Sequence, residues 1–466
     1  MSQYESYLSP FSWRYSSAEM RALWSEAARR RLWRGIWVAL ARAQSEMGLV
    51  LPAQVEELAA HAADINIPRA LELEAELHHD LMAEVRTFAE QCPTAGGIIH
   101  LGATSMDIED NADALRLRQA LDLLIPQADR LLRLFAEKMR VYAATPVMAF
   151  THLQPAEPST LGYRLASYAQ DLLADREELH RQRLLIKGKG FKGAVGTAAS
   201  YIELLGQEGY ARFETRLSQI LDLPFYPVST QTYPRKQEYA LLSALAGLGA
   251  TLYKFAFDLR LLQSPVIGEW GEPFGRRQVG SSAMPFKRNP INSEKIDSLA
   301  RALAAMPQTA WHNAAHSLLE RTLDDSANRR TLLPEAFLIC DELVRTAQRL
   351  VAGLNVNEAA IQRNMAVYAP FAATERLLMA LVKAGADRQE MHELLRDHAM
   401  RAWEAVRAGR DNPLLQNIAG DAGLQRYLPP AAMEPLLRVE GYTGIAAERA
   451  RTTAEQILQS IGPEQG

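Results

Sequence analysis

Cysteine is almost absent: Cys92 and Cys340 are the only two in 466 residues. Two cysteines make no disulfide framework, and with no His/Cys spacing of zinc type they suggest no metal site. A reducing cytoplasm is the simplest compartment. Positive charge is not in excess either, with 51 Lys and Arg against 55 Asp and Glu and a net charge of −4. No overall basic field recruits nucleic acid, so a polyanionic ligand would have to be met by local cations. No run approaches the roughly eighteen consecutive apolar residues of a membrane helix. Met1–Tyr15 lack the basic-then-apolar order of a signal peptide, and none is expected. Internal repeats, low-complexity tracts and long linkers are missing too.

What the chain does hold is apolar residues at helical spacing, within 48% hydrophobic content, ample for more than one domain. Short helices are expected from Met1 to about Asp110. Then Leu117, Leu121, Leu124, Ala128, Leu131, Phe135, Met139 and Tyr142 recur at steps of three and four, with Pro126 expected to kink the run. Leu245, Leu248, Leu252, Phe255, Leu259 and Leu262 repeat the pattern, as do Phe337, Cys340, Val344, Ala347, Val351 and Leu354. With Thr160–Ile186 and Ile296–Thr309 these make five long helices, which bury their stripes against one another as a bundle. No alternating strand pattern has comparable strength, so the fold class is all-α. After about Asn357 shorter amphipathic helices return, punctuated by Pro370, Gly385, Gly409 and Pro429-Pro430. Three regions are expected: 1–110, 111–357 and 358–466. The apolar faces exceed what one thin bundle needs, so burial between subunits is expected as well.

Several polar stretches interrupt these patterns. Gly280-Ser281-Ser282-Ala283-Met284-Pro285-Phe286-Lys287-Arg288-Asn289-Pro290 contains almost nothing that could enter a core, and its prolines forbid a continuous helix. Arg14-Tyr15 lie just outside a helix start, where Ser16 or Ser17 can cap and Ser16 with Glu19 fits a capping box. Arg29-Arg30-Arg31 and Arg34 read as a solvated or inter-domain face. Adjacent His78 and His79 point about 100° apart on a helix and cannot share one ion; the alternative is a single useful His79 with Asp80 fixing its tautomer or orientation. Thr104-Ser105 precede an acidic helix start, as plain caps or as an anion site. His152 follows Thr151 in a proline-pinned loop, Phe150–Pro158. The glycine-rich Gly188–Thr197 lacks the ending of a phosphate loop and reads as a close-packed turn. Gln231 offers donor and acceptor together. Arg321, Ser326 and Arg330 could converge on a phosphate, or pair with Asp324 and Asp325.

The Gly280–Pro290 loop resembles the Gly-Ser-Ser-x-Met-Pro-x-Lys-x-Asn loop of the fumarase/aspartase superfamily. Its Phe286–Pro290 variant, and the continuous run from Glu320 to Arg330, are similar to those of the adenylosuccinate lyases. The resemblance extends from Arg14-Tyr15 to beyond residue 400. It implies a three-domain all-α fold, with the five-helix bundle assembling into a tetrameric core and three chains contributing to each active site. It also implies elimination of fumarate from a purine nucleotide substrate. Ser281 would be the base and His152 the acid. Arg14, Tyr15, His79, Asp80, Thr104, Ser105, Gln231, Lys287, Asn289, Lys295, Arg321, Ser326 and Arg330 would bind substrate, with the Arg321–Arg330 run on its phosphate. Lys295 stands where vertebrate members carry Arg, a point charge in place of a bidentate fork. His78 takes the place of an Arg or Lys in other members. That chemistry needs no metal or redox cofactor. Its rivals are another superfamily reaction, as in fumarase or argininosuccinate lyase, and a catalytically inactive structural protein on the same fold.

Overall fold

The computed structural model describes residues 5–439 and 441–463. Short helices come first: α1 (Ala18–Leu23), α2 (Glu26–Glu46), α3 (Pro52–His61), α4 (Ile67–Leu77) and α5 (Asp80–Gln91). After α6 (Ser105–Val141) a hairpin of β1 (Pro146–Thr151) and β2 (Gln154–Thr160) leads into α7 (Leu161–Leu185) and α8 (Ala199–Ile220). Then come α9 (Lys236–Gln263), β3 (Trp270–Gly271), α10 (Ile291–Ala315), α11 (Ser326–Ala352) and β4 (Asn355–Val356). The helices α12 (Glu358–Lys383), α13 (Arg388–Arg407), α14 (Leu414–Ala419), α15 (Ala422–Gln425), α16 (Pro430–Leu437) and α17 (Ala446–Ile461) complete the order. The fold is mostly helical, and all five long helices read from the sequence are present.

Two helices depart from the periodicity. The helix α8 carries Gly206 at φ 68°, which breaks its repeat. The helix α12 runs through Pro370 instead of starting after it. A proline inside a helix costs about 3 kcal/mol, and burial of Pro370 with Ala373, Leu377 and Leu381 outweighs that cost. The helix α6 likewise continues through Pro126. The helices α9 and α12 are long and apolar enough to cross a membrane by length and composition. In α9 the stripe Leu241, Leu245, Leu248, Leu252, Leu259 is instead fully buried in the protein.

By contact the chain forms two compact units, which cut through the long helices rather than between them. The first comprises Met1–Ala128, Asp175–Ala250 and Ser298–Arg345. Its core joins Trp33, Ile36, Trp37 and Leu40 of α2 to Leu81 and Phe88 of α5, Ile108 of α6 and Phe213 of α8. Each such side chain contributes roughly 1.5–3 kcal/mol by leaving water. Arg30 and Arg34 are buried here, not solvated. Both bind the buried Glu84 carboxylate, each at 2.6 Å. At the start of α1, Ser17 caps, accepting from the Met20 amide at 3.2 Å. Ser16, at φ 71°, gives no capping box; its hydroxyl donates to Asp341 at 2.9 Å.

The second unit comprises Asp129–Ala174, Thr251–Asp297 and Thr346–Gly466. Phe255 of α9 meets Phe135 of α6 and Tyr168 of α7 edge-on, with ring centres 5.3 and 5.5 Å apart. Around α12 a second core gathers Leu377, Leu381, Met391, Leu395, Leu414 and Met433. The strands β1 and β2 pair antiparallel with Thr151 opposite Gln154, leaving a two-residue turn. Phe150–Pro158 is therefore a hairpin, where a proline-pinned loop was expected. Its prolines fall at Pro155 and Pro158, with an irregularity in β1 between Met148 and Phe150, where a missing amide is tolerated.

Candidate active site

In the first unit the helix starts do the positioning. His78 ends α4 in the left-handed region, at φ 54°. That turns the chain so that His79 caps α5, its Nδ1 accepting from the Met82 amide at 3.4 Å. An accepting Nδ1 leaves the proton on Nε2, which faces Ser105 Oγ at 3.4 Å. Asp80 Oδ1 stands 3.8 Å from the same Nδ1. Its other oxygen accepts from Arg330 at 2.6 Å. Burial works against its ionisation, but the Arg330 hydrogen bond and charge and the Leu81 amide hold its carboxyl below the usual range.

Ser105 opens α6, and this start is pinned by Asp107. One carboxylate oxygen accepts from the Thr104 and Gly193 amides at 3.0 and 3.1 Å. The other takes the Lys192 amide at 3.1 Å and the buried Lys189 ammonium. The glycine-rich segment is thus a close-packed turn: a Cβ on Gly188 would stand 2.3 Å from Asn111 Oδ1. The Thr104 hydroxyl makes no hydrogen bond with any described residue.

The Arg321–Arg330 run leads into α11, which Ser326 opens. Arg321 donates to Asp325 at 2.7 Å, so the pairing left open by the sequence is made. The Gln231 amide donates to the Glu320 carbonyl at 3.2 Å, while its side-chain amide stays free of described partners. Ser326 and Arg330 line a cleft of about 170 Å³ with Arg29, Arg116, Glu109 and Asp113. Burial, then Asp80, Asp113 and Asp110, push the Glu109 carboxyl up to about 8. Arg14 is exposed and lies over the Tyr15 ring at 5.9 Å.

In the second unit the Gly280–Pro290 loop is irregular and largely exposed. The Met284 and Ala283 amides donate to Ser281 Oγ at 3.1 and 3.4 Å. Hydrogen bonds to that oxygen favour its charged form. Asn289 donates to the Gly280 carbonyl at 3.1 Å, closing the loop's base. Only glycine fits at 280, since a Cβ would stand 2.1 Å from the Lys287 carbonyl oxygen. Lys287 is exposed, and Lys295 lies half-buried near the start of α10.

His152 occupies the hairpin turn with Leu153, at φ 54° and 60°. Two left-handed residues in a two-residue loop are the signature of a type I′ turn, normally built from Asn and Gly. A non-glycine there is strained, and such strain gathers at functional sites. His152 hydrogen-bonds no described residue. It lines a cleft of about 950 Å³ with Tyr163, Arg164, Tyr168, Tyr368 and Trp403.

His79, Asp80, Ser105 and Arg330 are thus brought together, as are Gln231 and Arg321, and Ser281 and Asn289 with the backbone at Lys287. Within the second unit, His152 makes no hydrogen bond with the Ser281 loop among the described residues. Sequence reading gave no role to Asp107, Asp110 and Arg235, all buried charges behind these residues. A carboxylate at each of positions 107 and 110 in the first turns of a helix was the available signal.

Residues 13–304 match the family described as "Lyase", and residues 370–452 match "Adenylosuccinate lyase C-terminus". An adenylosuccinate lyase of Saccharomyces cerevisiae is 40% identical over 90% of this chain and 89% of its own length. One from Schizosaccharomyces pombe is 38% identical over 99% and 97%. Among solved structures, a 3-carboxy-cis,cis-muconate lactonizing enzyme from Pseudomonas putida superposes with a TM-score of 0.84 at 26% identity, covering 95% of this chain and 98% of its own.

Proposed function

We propose, for a chain that belongs to the adenylosuccinate lyase family of fumarate-releasing enzymes, a two-residue proton-transfer mechanism at Ser281 and His152. As a carbon–nitrogen lyase it releases fumarate from adenylosuccinate to give AMP. The same elimination on SAICAR gives AICAR. A base takes a proton from the carbon beside a carboxylate, electrons collect on that carboxylate, and the carbon–nitrogen bond breaks as an acid protonates the leaving nitrogen.

One observation carries the assignment of the base: the Ser281 oxygen already accepts two main-chain amides. An alkoxide formed there would be met by fixed donors that cost no reorganisation. Lys287 and Asn289 would stabilise the enolate-like group. His152 would be the acid, since an imidazolium can give a proton to the leaving nitrogen. Thr104 and Ser105 would hold a substrate carboxylate at the start of α6, with His79 beside them. Arg321, Ser326 and Arg330 would meet the phosphate, and Arg14, Tyr15, Asp80, Gln231 and Lys295 complete the binding set. Free, buried Cys92 and Cys340 fit a reducing, cytoplasmic setting.

The test is direct. Purified protein given adenylosuccinate should form fumarate and AMP in equal amounts. Turnover of argininosuccinate or malate instead would move the chain to another branch, and no turnover of any would favour a structural role. We also assign a homotetramer with active sites shared between chains, a reading supported by the lack of any described His152 contact with the Ser281 loop. Inactive His152→Gln and Ser281→Ala tetramers, mixed under conditions that exchange subunits, should regain part of the activity. Verified exchange with no recovery would place both residues on one chain.

A further inference from the structure

Arg321 is gripped by one nitrogen. Its Nη1 donates to Asp325 Oδ1 at 2.7 Å, and no described residue takes its Nε or Nη2. The other Asp325 oxygen accepts from Arg235 Nε at 2.6 Å. Arg235 Nη1 donates in turn to Asp110 Oδ1 at 2.9 Å, and Asp110 Oδ2 accepts the Tyr233 amide at 2.7 Å. Asp110, Arg235 and Asp325 are all buried. Counted with Arg321, the row alternates in sign and is neutral.

Such a row is a poor way to gain stability. Desolvating each charge cancels much of the attraction, and packed apolar residues would serve as well. What it does supply is position. Asp110 belongs to α6, whose first residue is Ser105; Arg235 belongs to the loop that carries Gln231; Asp325 adjoins Ser326 at the head of α11. A single guanidinium therefore locks three segments, each bearing a candidate substrate contact. A free arginine samples many rotamers, whereas one held along an edge presents its remaining donors in a fixed plane.

We infer that Asp325 and Arg235 are positioning residues: the Asp110–Arg235–Asp325 row fixes one edge of Arg321 so that its two unpaired nitrogens form a fork for a substrate oxyanion. The inference rests on the assignment of Arg321 to the nucleotide phosphate. Neither residue touches substrate; both act through Arg321.

The experiment is a double-mutant cycle read with two substrates: adenylosuccinate, and the same succinylated nucleoside without its phosphate. Asp325→Asn keeps the shape of the side chain, but its amide can accept from one guanidinium only and turns N–H groups toward the other. The expected result is a fall of about tenfold in kcat/KM on the nucleotide, carried by KM with kcat little changed. The nucleoside should show no comparable loss, and adding Asp325→Asn to Arg321→Ala should cost nothing further. Arg235→Lys, whose single ammonium cannot span both carboxylates, should repeat the pattern. Equal losses on both substrates, or losses that add to that of Arg321→Ala, would make the row structural and overturn the inference. If Arg321→Ala itself left the nucleotide KM unchanged, the phosphate assignment would fall first and the inference with it.

Discussion

The Arg321–Arg330 run and the Gly280–Pro290 loop are held in opposite ways. The first is anchored by buried charge: Asp325, Arg235, Asp110, and beyond them Arg329, which binds Glu238 at 2.6 Å and Asp113 at 2.9 Å. The second is exposed and held by main-chain geometry, through a glycine that admits no Cβ and two amides on one hydroxyl. Recognition of a fixed, doubly charged phosphate favours rigid, paired cations. Proton transfer asks for a polar group free to change charge, and an exposed loop provides it. The contrast says which substitutions should harm chemistry and which should harm the fold.

Removal of the groups proposed to react should have the largest effect. Ser281→Ala and His152→Gln should each lower turnover by roughly a hundred- to ten-thousandfold. Both are loop or turn residues with little packing to lose, so melting temperature should hardly move. Near-normal turnover in either variant would remove that residue from the chemistry. Next comes Arg235→Met, which takes the shared buried cation from Asp110 and Asp325 and leaves them the Tyr233 amide and Arg321. A loss of about 3–5 kcal/mol in denaturant unfolding is expected, and an unchanged midpoint would erase the contrast between the two regions.

Arg321→Ala should weaken nucleotide binding by about 2–3 kcal/mol, measured by calorimetry with AMP, while shifting melting temperature little. A large thermal shift with intact binding would make the Asp325 pairing its whole purpose. The smallest effect concerns Glu109, whose carboxyl is raised from 4.5 to about 8. The folded protein holds that proton more tightly than the unfolded chain. Its contribution to stability is therefore full below pH 4.5 and is lost as pH rises through about 8. Glu109→Gln should be more stable than the parent at alkaline pH and no different in acid. Melting curves across that range that stay parallel would show that Glu109 ionises freely.

Local periodicity makes the helices legible from residue order alone. Leu245 to Leu262 carries enough apolar residues at steps of three and four to exclude other readings. The hairpin is hidden because Pro155 and Pro158 argue against a strand and its sides are short. Charged pairs are hidden for a different reason. Arg34 and Glu84 stand 50 residues apart, and Asp80 and Arg330 stand 250 apart. Nothing in a window of sequence says that these charges will meet, so Arg30 and Arg34 read as a solvated or inter-domain face and the Asp80–Arg330 pair goes unread. The loop at Gly280 is legible for what it lacks, since it offers nothing to a core. That Ser281 receives its own loop's amides depends on φ and ψ, which residue types only constrain.

The hairpin turn carries a consequence for the catalytic cycle. The proton donor proposed at His152 must be reloaded after every turnover. Imidazoles are commonly aimed by a hydrogen bond from a neighbouring carboxylate or carbonyl, which also commits one ring nitrogen and biases the tautomer. His152 is aimed by its main chain, through two left-handed residues at the end of paired strands. Both ring nitrogens are left uncommitted among the described residues, so giving up a proton and taking another requires no internal bond to break and re-form.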